Sequence, residues 1–131
     1  MERILISGGL GFVGKNLVEA LESQYKIFVV DIAGDAPFLL NKSNVDYFQC
    51  DFSDSSEVTR IFAEVKPDYI INLISIVTAD RNLTLLDDMI KLNSDILVKH
   101  YNAAKDLDNL KLFIQFGSGE EYGNIPAPFK E

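Results

Sequence analysis

Short unbroken apolar runs alternate along the chain with segments whose apolar residues recur every three or four positions. ILIS (4–7), IFVVD (27–31), VDYFQC (45–50), YIINLI (69–74) and LKLFIQF (110–116) are rich in Ile, Val, Phe and Tyr and mostly lack a strict polar alternation. Such runs predict strands covered on both faces, as in a parallel sheet. Between them, Val13, Leu17 and Leu21 trace one helical face, as do Val58, Ile61, Phe62 and Val65. Asp54 with Glu57 makes a capping-box-like start to the second of these helices, and Pro67 ends it. A third, longest helix is predicted from about Leu83 to Asp106, burying Leu85, Met89, Leu92, Ile96 and Ala103. GDAPFLLNKSN (34–44) reads as loop or a short irregular helix.

Strands alternating with helices over short connections predict one α/β domain, a doubly wound parallel sheet, because right-handed crossovers place helices on both faces. At 131 residues the chain supplies one core and leaves no room for a second domain. The net charge of −8 and the lack of a Lys/Arg cluster exclude a nucleic-acid or anionic-membrane surface. Any phosphate must therefore be held by local geometry. The longest nearly apolar run, YIINLISIV, falls far short of the ~20 residues a membrane span needs, and MERILIS lacks the apolar core of a signal peptide. Cys50 is the only cysteine, which removes disulfides and thiolate zinc sites and reads as a small buried hydrophobe in a reducing compartment. A soluble, cytoplasmic protein is expected.

The chemistry starts at SGGLGFVG (7–14), where the first strand gives way to the first helix. Glycines there let the backbone turn tightly and approach a pyrophosphate, whose charge is met by unpaired N–H groups at the helix start. Two spacings fit, Gly9-x-Gly11-x-x-Gly14 and Gly8-x-x-Gly11-x-x-Gly14. The second strand ends in Asp31, twenty residues past Gly11. A carboxylate at that point can accept both ribose hydroxyls of an adenosine and repels a 2′-phosphate, which favours NAD over NADP.

These residues resemble the extended short-chain dehydrogenase/reductase family, the NAD-dependent sugar-nucleotide epimerases and dehydratases. Ser7-Gly8-x-x-Gly11-Phe12-Val13-Gly14 is similar to that family's T-G-x-x-G-F-I-G loop, with serine for threonine. Asp51-Phe52-Ser53-Asp54 resembles its D-L-x-D segment, and the resemblance implies that Asp51 and Phe52 hold the adenine. The stretch from Pro67 to Leu73, Ile74 and Ser75 resembles P-D-x-V-I-H-L-A-A, and Asn93 falls where the family has N-V-x-G-T-x-x-L-L-E-A-A. The implied fold is a Rossmann-type sheet with strand order 3-2-1-4-5, ending after strand five. The implied cofactor is NAD, with Ile32 and Asn93 joining the glycine loop, Asp31, Asp51, Phe52 and the 73–75 segment in its site.

Departures accompany the match. Asn72 replaces the histidine, and Ile74-Ser75 replaces two alanines whose small size lets the nicotinamide half lie close to the backbone. Ile74 is expected to narrow that passage. Ser94 and Ile96 break the N-V-x-G-T pattern, and Gly117 stands where a serine is usual.

FGSGEEYG (116–123) follows the last strand. By resemblance to S-S-x-x-V-Y-G, Ser118 hydrogen-bonds the C4 oxygen of a sugar, and its other reading is a loop serine capping the next turn. Glu120 stands where dehydratases and glucuronate decarboxylases of the family carry a glutamate. There it would remove the C5 proton of a 4-keto sugar, provided burial sets its pKa near working pH. The implied reaction is transient oxidation at C4 of a nucleotide sugar, which requires the tyrosine and lysine of a Y-x-x-x-K motif after strand five. The chain's one such motif, Tyr101 to Lys105, precedes strand five and is rejected. It is expected near the amino edge of the sheet, about one strand length from the cofactor. His100 is assigned no catalytic role.

Residues 1–131 are therefore expected to be the N-terminal NAD-binding part of a longer enzyme, inactive alone, with its substrate domain absent. The chain would be either a shortened piece or a naturally short product. The alternative is a non-catalytic NAD(H)-binding regulatory or scaffold module, for which a missing Tyr/Lys pair is no defect. Strand five would be a bare edge carrying Leu112, Phe113, Ile114 and Phe116, and self-association through it, as a homodimer or by exchange of IPAPF (125–129), is expected.

Overall fold

A computed structural model of the protein describes residues 1–76, 83–118, 123, 124, 126 and 128. Five strands form one parallel sheet: β1 (Arg3–Ser7), β2 (Lys26–Asp31), β3 (Val45–Gln49), β4 (Tyr69–Asn72) and β5 (Leu112–Gln115), in the order β3-β2-β1-β4-β5. Helix α1 (Phe12–Leu21) joins β1 to β2, and α2 (Ser55–Val65) joins β3 to β4. Before β5 come a 3₁₀ turn (Leu83–Leu85), α3 (Leu86–Ile90), a π-helical turn (Lys91–Asp95) and α4 (Ile96–Ala104). The expected 3-2-1-4-5 doubly wound sheet is the one observed.

Alternate side chains of the central strands supply two cores, one on each face. Ile4, Ile6, Ile27, Val29 and Ile71 pack with Val18 of α1. Leu5, Val30 and Ile70 pack on the other face with Val58, Ile61, Phe62 and Val65 of α2 and with Ile96 and Ala104 of α4. Each Val, Leu, Ile or Phe among them, fully buried, contributes about 1.5–3 kcal/mol of transfer free energy. This is why the strands read as continuous apolar runs.

Helix α2 starts as expected. The Asp54 carboxylate accepts from the N–H groups of Ser56 and Glu57. Glu57 reaches back to the N–H of Asp51 at 3.3 Å, so the return arm of the capping box ties down the loop before the helix rather than the cap itself. Lys66 closes the helix in the left-handed conformation, with φ 47°, one residue before Pro67.

Three expectations are corrected. Val13 is exposed and Val18 is the buried anchor of α1, because Gly14, not Val13, faces the glycine loop. β4 ends at Asn72 rather than residue 74. The predicted third helix is interrupted by the π turn, which resets the buried face, so that α4 buries Ile96, His100 and Ala104 while Ala103 is half-buried. Residues 34–44 hold only a 3₁₀ turn, Pro37–Leu39, as expected.

Candidate functional site

At the carboxyl edge of the sheet, β1 ends in Ser7 and the chain turns through Gly8, whose φ of 73° suits glycine. The Gly8 N–H donates to Val30 O at 2.8 Å, and the Gly11 N–H to Gly8 O at 3.2 Å. A Cβ on Gly14 would lie 2.4 Å from Gly9 O, so glycine lets the first turn of α1 sit directly on the loop. Gly11 caps α1 with extended backbone and no side-chain bond. The N–H groups of the first turn therefore remain available to an anion. Phe12 and Val13 lie on that turn, with Phe12 86% exposed.

Asp31, at the end of β2, is fixed from two sides. Its Oδ1 accepts the Ile32 N–H at 2.8 Å and its Oδ2 accepts the Leu10 N–H at 3.1 Å, which ties it to the glycine loop. The Tyr47 hydroxyl donates to the Ala33 carbonyl and, at 3.3 Å, to Asp31 O, bracing the segment after β2. Oδ1 also accepts the Ala33 N–H at 3.4 Å, so it is Oδ2 that keeps a lone pair for a ribose hydroxyl. Ile32 is exposed at the rim.

Asp51 and Phe52 follow β3. Asp51 accepts the Ser53 N–H at 2.9 Å, and these bonds to Ser53 hold its carboxyl below the usual range. The Phe52 ring is buried and stacks on His100. Lys99 of α4 donates to Ser53 O at 2.8 Å, closing the far wall. Cys50 is buried, and burial followed by the Glu57 carboxylate pushes its thiol up to about 12, which makes it inert.

Past β4, Asn72 is buried, donates to Gln115 Oε1 at 2.7 Å and accepts the Ile74 N–H at 3.2 Å. Asn93 accepts the Ile76 N–H at 2.9 Å and so pins the segment after β4 to the π turn. Ile74 lies so close that a Cβ on Gly8 would be 3.2 Å from its Cγ1.

A cleft of about 770 Å³ joins these parts; Gly8, Gly11, Asp31, Ile32, Asp51, Phe52, Leu73, Ile74 and Ser75 all line it. Gly14, Phe12, Val13 and Asn93 do not, the first three belonging to the helix start and the last acting on the wall. Leu10, Lys91, Asp95 and Lys99 also line it and have no local signal in the sequence. Ser118 lies exposed three residues after β5, and Glu120 lies outside the described residues. Tyr101 is 63% exposed beside Leu97, Val98 and Phe113, away from the cleft. It stands higher on the sheet than expected, since its neighbour His100 bonds Ser7 at the end of β1; direction, more than distance, separates it from the cofactor site. Among the described residues no group of three or more His, Cys, Asp or Glu could hold a metal ion.

A parallel 3-2-1-4-5 sheet, a glycine turn opening a helix and an acid ending β2 define a dinucleotide-binding domain. The family model described as the NAD dependent epimerase/dehydratase family matches residues 4–131, and the chain belongs to that family as part of its NAD-binding portion. It is 31% identical over 142 aligned positions to a dTDP-glucose 4,6-dehydratase of Salmonella typhimurium, covering 96% of this chain and 39% of that protein. Among solved structures, a UDP-N-acetylglucosamine 4-epimerase from Methanobrevibacter ruminantium superposes with TM-score 0.83 at 26% identity, over 99% of this chain and 42% of that one. A UDP-glucose 4-epimerase from Bifidobacterium longum, in complex with NAD+ and UDP, shares the fold with TM-score 0.79 at 22% identity, over 92% of this chain and 38% of that one. The chain thus spans about two-fifths of the length of these relatives.

The residues present fit NAD. Gly14 lets the helix start sit directly on the glycine turn, and the carboxylate at β2 is aimed by backbone N–H groups.

Proposed function

We propose that this chain is the cofactor-binding portion of an enzyme that acts on a nucleotide sugar through transient oxidation at C4. The observation that carries this reading is the Asp31 carboxylate, bonded to the Leu10 N–H of the glycine loop at the mouth of the cleft. It orients an adenosine ribose while the start of α1 receives the pyrophosphate. NAD, when bound, supplies a reversible hydride acceptor for the sugar carbon. Ser118 holds the C4 oxygen and Glu120 exchanges the C5 proton, which makes dehydratase or decarboxylase chemistry the favoured branch. The 31% identity to a dTDP-glucose 4,6-dehydratase supports the dehydratase. Alone, residues 1–131 bind cofactor without turnover, because no Tyr-x-x-x-Lys pair faces the cleft among the described residues. The setting is a reducing, cytoplasmic one, in keeping with the buried, unpaired Cys50. No helix among the described residues is long and apolar enough to cross a membrane.

The test uses the full-length protein with dTDP-glucose and UDP-glucose, following reduced nicotinamide by absorbance and products by mass spectrometry. A transient reduced cofactor and a product lighter by one water are expected, with Glu120→Gln stopping water loss while leaving NAD binding intact. NAD binding with no reduced nicotinamide on either nucleotide sugar would favour a non-catalytic NAD module instead.

A further inference from the structure

His100 has no part in the site as assigned, yet it touches two of its walls. The residue is wholly buried. Its ring stacks on Phe52, with centroids 5.1 Å apart and planes 19° from parallel, and meets Phe62 and Phe113 edge-on. Nδ1 lies 2.8 Å from the Ile96 carbonyl oxygen. A carbonyl only accepts, so Nδ1 carries a proton. In a neutral imidazole Nε2 is then the acceptor, and the Ser7 hydroxyl 2.6 Å away donates to it. Burial lowers the imidazole pKa to about 4, so the ring is neutral at ordinary pH and this tautomer holds.

Both partners matter to the cleft. Ser7 is the last residue of β1, and Gly8 follows it at φ 73°. Its carbonyl accepts the Leu73 N–H at 2.9 Å, so the Ser7 backbone is held by the sheet while its hydroxyl is held by His100. Phe52 lines the cleft on the adenine side. A leucine would fill the same space without needing two polar partners, and leucine is what the resembling segment N-V-x-G-T-x-x-L-L-E-A-A carries there. Burying an imidazole costs desolvation that a leucine avoids. What the imidazole adds is direction, a hydrogen bond to one wall and a flat stacking surface for the other.

Resting on the reading of this cleft as the NAD site, we propose that His100 is a positioning residue for cofactor binding. Its imidazole fixes the Ser7 hydroxyl and the Phe52 ring, and so sets the root of the glycine loop against the adenine wall.

The test compares this chain with its Ser7→Ala, His100→Leu, Ser7→Ala/His100→Leu and His100→Gln variants; the glutamine amide oxygen can accept the Ser7 hydroxyl. Two quantities are read: the NAD dissociation constant by calorimetry, and amide hydrogen exchange at Gly8 and Gly11 without ligand. Ser7→Ala and His100→Leu should each weaken NAD binding about fivefold to tenfold, the scale of one hydrogen bond, with faster exchange at both glycines. The double variant should be no worse than either single one, and His100→Gln should recover most of the loss. Unchanged affinity and exchange in a folded His100→Leu chain would overturn the proposal, as would losses that simply multiply in the double variant. Where His100→Leu does not fold, Ser7→Ala, which deletes one hydroxyl, decides by the same two quantities. If the unmodified chain binds no NAD, the reading of the cleft fails separately, and unchanged glycine exchange in Ser7→Ala then overturns the positioning role.

Discussion

Single residues at the carboxyl edge set what the cleft accepts. Gly14→Ala would place a Cβ 2.4 Å from Gly9 O, inside any tolerated contact, so α1 must back away from the loop. NAD affinity should fall by at least about tenfold, read by calorimetry. Asp31→Asn keeps the shape but turns one acceptor into a donor facing Leu10 N–H or the ribose. NAD binding should weaken and the preference over NADP should shrink, measured as the ratio of the two dissociation constants. His100 makes stability depend on pH. Its pKa falls from 6.5 to about 4 in the folded chain, chiefly through burial. Between those values the unfolded chain binds a proton that the native one refuses, so stability is full above pH 6.5 and declines as pH falls toward 4. The loss amounts to about 3 kcal/mol, and urea unfolding should show a flatter pH profile across that window in His100→Leu. The carboxyls of Asp51, Asp54 and Asp68, depressed chiefly by the Ser53 N–H, the Ser56 hydroxyl and the Arg3 N–H in turn, act below that window. At this scale the sequence revealed the glycines and Asp31, because a strand-to-helix turn makes local demands that few residue types meet. It did not reveal His100, Tyr47 or Lys99, whose partners Ser7, Ala33 and Ser53 lie far away along the chain and become neighbours only after packing.

Among the elements, α2 follows its sequence most closely, since its cap, its buried stripe and its left-handed stop all act within a few residues. Asp54→Ala should cost about 1 kcal/mol of stability by urea denaturation, the usual value of an N-cap, because Ser56 and Glu57 lose their acceptor. The helix before β5 was less legible. A uniform 3.6-residue period through residues 83–106 places Ala103 inside, whereas the π turn at Lys91–Asp95 rotates α4 about the helix axis and brings in His100 and Ala104. The same turn carries Asn93, whose bond to the Ile76 N–H holds the wall of the cleft, so the irregularity falls at the site. β4 ends earlier than its apolar run: Leu73 keeps one bond to Ser7 O of β1, and Leu73 and Ile74 then line the cofactor cleft.

In the whole molecule, β5 is the outer strand opposite β3, and Leu112, Ile114 and Phe116 are exposed along it. On the other face of the strand, Val98 and Tyr101 of α4 are exposed beside Phe113. The 131-residue chain is expected to self-associate through that edge. Light scattering should show a mass that rises with concentration and returns toward the monomer in Ile114→Lys, and a concentration-independent monomer would count against it. The larger assignment rests on NAD itself. The most direct measurement is calorimetric titration of this chain with NAD and, separately, NADP. Saturable one-site binding of NAD, with NADP at least about tenfold weaker, is predicted from the Asp31 carboxylate at the ribose. Equal affinities for the two, or no heat with NAD in a folded chain, would contradict the account.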